Sequence, residues 1–203
     1  ALAGGELRGD KLDLAALAKI AGRLPLPPKL HEQLQAQPVK GLVESITARW
    51  DGALEAPHDW RVQARLAGLS VGARPAPPRA DGQPVEGIPG IEGAALELEA
   101  MPSGGHAQLS IEDGALEFPG VFEQPRIALA QLSAQARWRV QGEHIEVEVD
   151  ELALRNADAT GRFKARWQTA EARRPGEPRF PGVLDLQGSF SRANGARVHR
   201  YLP

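Results

Sequence analysis

Between Arg126 and Gln141, every second residue from Ala128 on is small or apolar, and from Gln131 on the residues between them are all polar. A helix would spread such a pattern around its whole circumference, whereas a strand gathers it onto one face. Ala128, Ala130, Leu132, Ala134, Ala136, Trp138 and Val140 then share one face, and Gln131, Ser133, Gln135, Arg137, Arg139 and Gln141 dominate the other. Fully extended, the stretch would reach roughly 50 Å at about 3.3 Å per residue. Strands usually run about 5–6 residues, so a bulge or bend is expected within it.

The same period recurs along the chain. Trp60, Val62, Ala64 and Leu66 alternate with Arg61, Gln63 and Arg65; Ile145, Val147 and Val149 with His144, Glu146 and Glu148; Phe163, Ala165 and Trp167 with Arg162, Lys164 and Arg166. Weaker strands are predicted over 42–50, 94–100, 107–112, 115–118 and 183–190. Asp51-Gly52, Asp113-Gly114 and Gln141-Gly142 have the composition of hairpin turns. Short connections between successive strands imply antiparallel neighbours. The predicted fold is mainly β: a long, twisted antiparallel meander sheet curled into an open groove or half-barrel, with one or two short N-terminal helices.

Those helices belong to residues 1–40, a segment predicted to pack on the β-groove formed by 41–203 within a single domain. Leu12, Leu14, Ala15, Leu17, Ala18 and Ala21 have helical spacing, with Asp10 as the predicted N-cap. A second short helix is predicted over 28–37, bounded by prolines. Residues 75–90 and 171–182 are rich in proline and glycine and read as long loops. Ala-Arg-Trp occurs at 48–50, 136–138 and 165–167. It is either a coincidence of composition or the trace of a repeated strand unit.

Composition removes several kinds of chemistry. With 24 basic and 26 acidic residues the net charge is -2, so nothing in bulk draws the chain to nucleic acid. There are no cysteines, which excludes disulfides and thiolate metal ligands. The five histidines, at 31, 58, 106, 144 and 199, are too scattered for a metal motif. No nucleophile elbow or phosphate-binding glycine loop occurs. Glu146 and Glu148 share a strand face, but a wet outer face accounts for them, paired across the sheet with Arg162, Lys164 and Arg166 or with Arg137 and Arg139. Asn156 and Asp158, before Gly161, have the character of a turn. Neither an enzyme nor a cofactor is expected. No run of about 18 apolar residues spans a bilayer, and the chain, from Ala1 to Pro203, is read as an internal piece of a larger protein.

The apolar face is the remaining feature. The chain has 32 alanines and only 5% aromatic residues, so its strands carry little bulk. Room above the sheet is either filled by a helix, such as residues 11–22, or forms a groove for an apolar ligand such as an acyl chain.

Several stretches resemble, in order, the YhdP family of AsmA-like envelope proteins. They are Leu12-Asp13-Leu14-Ala15-Ala16-Leu17 with Arg23-Leu24-Pro25-Leu26-Pro27, then Ala48-Arg49-Trp50-Asp51-Gly52 and Trp60 through Ala67-Gly68-Leu69-Ser70. Gly87-Ile88-Pro89-Gly90-Ile91-Glu92-Gly93 and Arg155-Asn156-Ala157-Asp158-Ala159-Thr160-Gly161-Arg162 follow. Leu184-Asp185-Leu186-Gln187-Gly188 and Val198-His199-Arg200-Tyr201-Leu202-Pro203 close the series. The resemblance implies a large protein anchored by one helix in the inner membrane of a Gram-negative bacterium. Its β-groove would extend through the periplasm and carry phospholipids toward the outer membrane. This chain would be a non-catalytic segment of that groove. Its expected partners are phospholipid acyl chains and neighbouring segments of the same full-length chain. The residues expected to line it are Ala128, Ala130, Leu132, Ala134, Ala136, Trp138 and Val140, with Phe163 and Trp167 nearby. The alternative is a structural or protein-interaction β domain of the envelope with a closed core and no ligand.

Overall fold

A computed structural model describes residues 4–21, 38–53, 56–77, 85–170 and 182–197. The strands are β1 (Gly5–Asp13), β2 (Val39–Ala53), β3 (Ala56–Val71), β4 (Gly90–Met101), β5 (Gly104–Glu117), β6 (Arg126–Gln141), β7 (His144–Arg155), β8 (Ala159–Gln168) and β9 (Val183–Ala193), with one helix, α1 (Leu14–Ala21), after β1. They form a single nine-stranded sheet in sequence order, antiparallel throughout. The sheet stays open: β1 and β9 are its two edges. The predicted meander is the observed one.

The N-terminal segment differs from its prediction. Residues 5–13 form a strand, and Leu12 pairs with Val43 instead of opening a helix. The helix starts one turn later, where Asp13 Oδ1 accepts a hydrogen bond from the Ala16 amide at 2.7 Å. Asp13, not Asp10, is therefore the N-cap. Asp10 lies in the strand opposite Ser45. The helix packs against β2 and β1, at one edge, and does not roof the sheet. The second predicted helix, over 28–37, falls outside the described residues, as do 78–84 of the first predicted loop and 171–181 of the second. Arg74 and Ile88 nevertheless form a bridge that ties together the two ends of the first.

Two predicted hairpin turns are not turns. The strand β2 runs through Asp51-Gly52, where the register with β3 shifts. Likewise, the separate strands predicted over 107–112 and 115–118 are the single strand β5, and Asp113 within it has φ 53°. Gln141-Gly142 does turn, with Gly142 at φ 61° between β6 and β7. Asn156 also turns the chain as its type suggests. Its side-chain oxygen accepts from the amides of Asp158 and Ala159 at 2.9 and 2.7 Å.

Asp113 belongs to a crease that crosses the first six strands at one level. Lys11 on β1 has φ 55°. The β2–β3 register shifts between Val43 and Ser45, and the β3–β4 register between Leu66 and Leu69. Gly93 on β4 has φ 76°, and the β4–β5 register shifts beside it. Such bulges bend a strand and change which residues face inward beyond them. The buried apolar residues Val43, Ala94, Ile111, Ala115, Leu129 and Leu132 all lie next to this crease. Ala94, Ile111, Leu129 and Leu132 form one cluster, with Leu69, Ile91, Leu109, Leu116, Ile127 and Ala134 packed against it.

The bend expected in β6 is thus present as a slip of phase. Ile127 and Leu129 face the core before it, and Leu132 and Ala134 after it. The partner strand β7 carries a further bulge, between the pairs Gln135–Glu151 and Ala136–Val149.

The candidate site: an apolar face running from edge to edge

Because the strands pair in order, each residue of the apolar face has a neighbour on the next strand, and whole rows can be traced across the sheet. One row is Leu7, Ala48, Val62, Ala100, Gly105, Trp138, Val147, Trp167 and Leu184, one residue from every strand. The next is Gly9, Ile46, Ala64, Leu98, Ala107, Ala136, Val149, Ala165 and Leu186. A third runs Leu12, Val43, Leu66, Leu96, Leu109, Ala134, Leu152, Phe163 and Gly188. Beside the crease, Leu69, Ala94, Ile111, Leu132, Leu154, Gly161 and Phe190 continue the pattern from β3 to β9. No polar side chain interrupts any of these rows. Eight inter-strand steps of about 4.8 Å give the longest rows a span of roughly 38 Å.

The face is only partly covered. Away from the crease, members such as Val62, Ala107, Ala136, Trp138 and Trp167 are half-buried, and on β9 every residue is exposed. Its large rings lie low. Gly5 sits opposite Trp50, Gly105 opposite Trp138 and Gly188 opposite Phe163. A Cβ at Gly105 would stand 2.5 Å from the Trp138 ring. Each ring leans across a neighbouring strand that has no side chain at that point, as aromatic residues do over sheet glycines. Phe163 and Phe190 meet edge to face with centroids 5.2 Å apart. Alanines and flattened rings therefore leave a low surface instead of a filled core.

Leu132, Ala134, Ala136, Trp138, Phe163 and Trp167 all lie in these rows, and Val140, opposite Ile145, continues β6 beyond them. Ala128 and Ala130 depart from the prediction. Ala128 is exposed, opposite Ala115, and the core-facing positions beside it belong to the half-buried Ile127 and the buried Leu129. The phase slip across Ala130 and Gln131 removes both alanines from the face that the later residues share. Sequence reading missed Ala107, Leu98 and Val149 as members of the surface. Their own strands alternate clearly, but only register places them beside Ala136 and Ala165.

The opposite face is polar, with rows of mixed charge. Arg8, Thr47, Gln63, Glu99, His106, Arg137, Glu148, Arg166 and Asp185 form one such row. Arg137 reaches Glu148 and Asp150 at 3.2 and 2.9 Å, and Arg166 reaches Glu146 at 2.5 Å. Glu6, held by Arg8 and Arg49, and Glu92, held by Arg126, have their pKa values lowered below 4.5, in each case chiefly by hydrogen bonds from the guanidinium groups. These pairs are exposed and individually weak; their consequence is a wet face matched to an apolar one. Among the described residues no helix is long and apolar enough to cross a membrane.

Compared with known families, the chain matches the YhdP family (YhdP protein) over residues 2–203. No curated protein and no solved structure matches it.

Proposed function

The chain belongs to the YhdP family of AsmA-like bacterial envelope proteins, and from that membership we propose that its apolar face is a stretch of a phospholipid-conducting groove. The observation that carries the proposal is the set of unbroken apolar rows from β1 to β9. An acyl chain laid along a row meets carbon at every strand. The charged headgroup, which is costly to desolvate, stays in water. Each methylene removed from water contributes about 0.8 kcal/mol, so a low, half-open surface can hold a chain without a closed pocket. It can also release the chain to the next position, since no polar group fixes it.

In this reading the segment is non-catalytic and works on the periplasmic side of the inner membrane, in a longer protein that moves lipid toward the outer membrane. Its partners are phospholipid acyl chains and neighbouring segments of the same chain. The sheet edges support the second partner: β9 exposes Val183, Leu184, Leu186 and Phe190, an apolar strand that a further strand would cover.

Native mass spectrometry after exposure to phospholipid tests the proposal. The protein should retain lipid, and Ala136→Glu, which sets a charge in the middle of a half-buried row, should abolish retention while leaving the fold intact. Lipid-free protein after exposure, or retention unchanged by the substitution, would refute the groove.

A further inference from the structure

On the polar face, arginines are neutralised almost as a rule. Arg8 and Arg49 share Glu6, Arg61 meets Glu99, Arg65 meets Glu97, and Arg139 and Arg166 share Glu146. The pattern stops where β7 ends and β8 begins. There, a shallow basin of about 510 Å³ is lined by Arg155 and Arg162 together with Gln131, Ser133, Thr160 and Ser189, and no carboxylate lines it. Among the described residues neither arginine makes an ion pair or a side-chain hydrogen bond.

Register explains how the basin forms. Arg155 stands opposite Thr160, and Arg162 opposite Ala153. The two arginines are therefore diagonal neighbours on one face, about 7–8 Å apart at the backbone. Ala153, beside both on that face, is small, so the floor is low. Arg192 lies opposite Thr160 on the next strand, its guanidinium donating to the Asn156 carbonyl at 2.7 Å. The nearest acids on this face lie outside the basin's lining: Glu151, one diagonal step from Arg162 beside Ala153, and Glu112, beyond Gln131 from Arg155.

We infer that this basin binds a phosphate group. Two unpaired guanidinium groups present planar forks that match phosphate oxygens. The Ser133 and Ser189 hydroxyls and the Gln131 amide supply further donors for a group with several oxygens to satisfy. The inference does not rest on the apolar groove, which occupies the other face. The phosphate can belong to a soluble ion or to a lipid headgroup.

The experiment has two arms. In the first, inorganic phosphate is titrated into the protein at low ionic strength while the arginine side-chain Nε–H signals are followed by NMR. In the second, the protein is sedimented with phosphatidylcholine vesicles, with and without phosphatidic acid. Arg155→Gln together with Arg162→Gln should weaken binding at least tenfold, as expected for lost charge-assisted bonds. Arg65→Gln, which breaks an ion pair elsewhere on the same face, should not. Binding in the first arm alone identifies a soluble phosphate; binding in the second identifies a headgroup. The inference is overturned if the wild-type protein binds in neither arm. It is also overturned if Arg65→Gln weakens binding as much, or if the Arg155 and Arg162 signals stay still while phosphate binds. The groove variant Ala136→Glu should keep phosphate binding, so the two proposals fail separately.

Discussion

The apolar face has two parts, built from the same kinds of side chain, that end in different states. At the crease, Ala94 and Ile111 are 0% exposed and Leu129 and Leu132 are 4% exposed. Three rows away, Trp138, Val147 and Trp167 are half-buried, and Leu184 on the edge strand is 61% exposed. Hydrophobicity does not separate them; backbone shape does. Where β4, β5 and β6 are distorted, residues from both sides of the slip turn onto one another and seal a small core. Where the strands run straight, their side chains stand parallel with nothing described above them. Stability is therefore concentrated at the crease, and the straight part keeps its apolar side chains half in water.

Removing side chains from each part would break that comparison most directly. Ile111→Ala leaves a hole in the sealed cluster and should cost about 2–5 kcal/mol, read from urea denaturation. Val149→Ala, in the middle of the open face, removes a side chain already half in water and should cost less than half as much. Equal costs would mean that the two parts are one core.

A second test acts on the low relief of the open face. Gly105→Val would drive a side chain into the Trp138 ring and toward the Glu99 carbonyl. Overpacking of this kind costs about 1–3 kcal/mol. The ring has to lift from the neighbouring strand, so tryptophan fluorescence should shift toward the red along with the loss of stability. A stable variant with unchanged emission would show that the ring does not lie over the glycine.

The sheet could be read from the sequence because alternation is local: Trp60 to Leu66, Arg126 to Gln141 and Phe163 to Trp167 each announce a strand without reference to any other. The crease could not, because an Asp-Gly pair such as Asp113-Gly114 suits a hairpin turn as well as a distortion within a strand, and Lys11 gives no local sign of its left-handed backbone. Asp113-Gly114 therefore resembles a hairpin turn, and alternation alone puts Ala128 on a face from which the slip removes it. The N-terminal strand was hidden for a related reason. Leu12 to Ala21 has a helical spacing throughout, and only the pairing of Leu12 with Val43 draws its first two residues into the sheet. The apolar residues were thus legible singly, whereas their rows depended on register, as did the flattening of Trp138 over Gly105. The basin at Arg155 and Arg162 is visible in the sequence only as basic residues; what marks it is that no carboxylate lines it and that, among the described residues, neither arginine makes an ion pair.

The smallest expected effect compares the two parts through their electrostatics. Glu92, on β4, reaches Arg126 on β6 at 2.5 Å and so straddles β5 at the crease. Glu6 is held by Arg8 and Arg49 on the outermost pair of strands, β1 and β2. Both carboxyl groups have folded pKa values below their ordinary 4.5. Each therefore contributes stability that is present above the unfolded value and is lost as pH falls through the folded one. Both groups are exposed, so solvent screens the gain and the contribution is small. The place where it is felt should differ. Glu92→Gln should flatten the acid side of the global unfolding curve, because the strands it joins enclose the core. Glu6→Gln should leave the global midpoint nearly unchanged and instead speed hydrogen exchange of the β1 amides at neutral pH, with the difference from wild type fading in acid, since an edge strand opens without the rest. If Glu6→Gln shifted the global midpoint as much as Glu92→Gln, β1 would belong to the same cooperative unit as the crease, and the division between sealed and open parts would have to be drawn elsewhere.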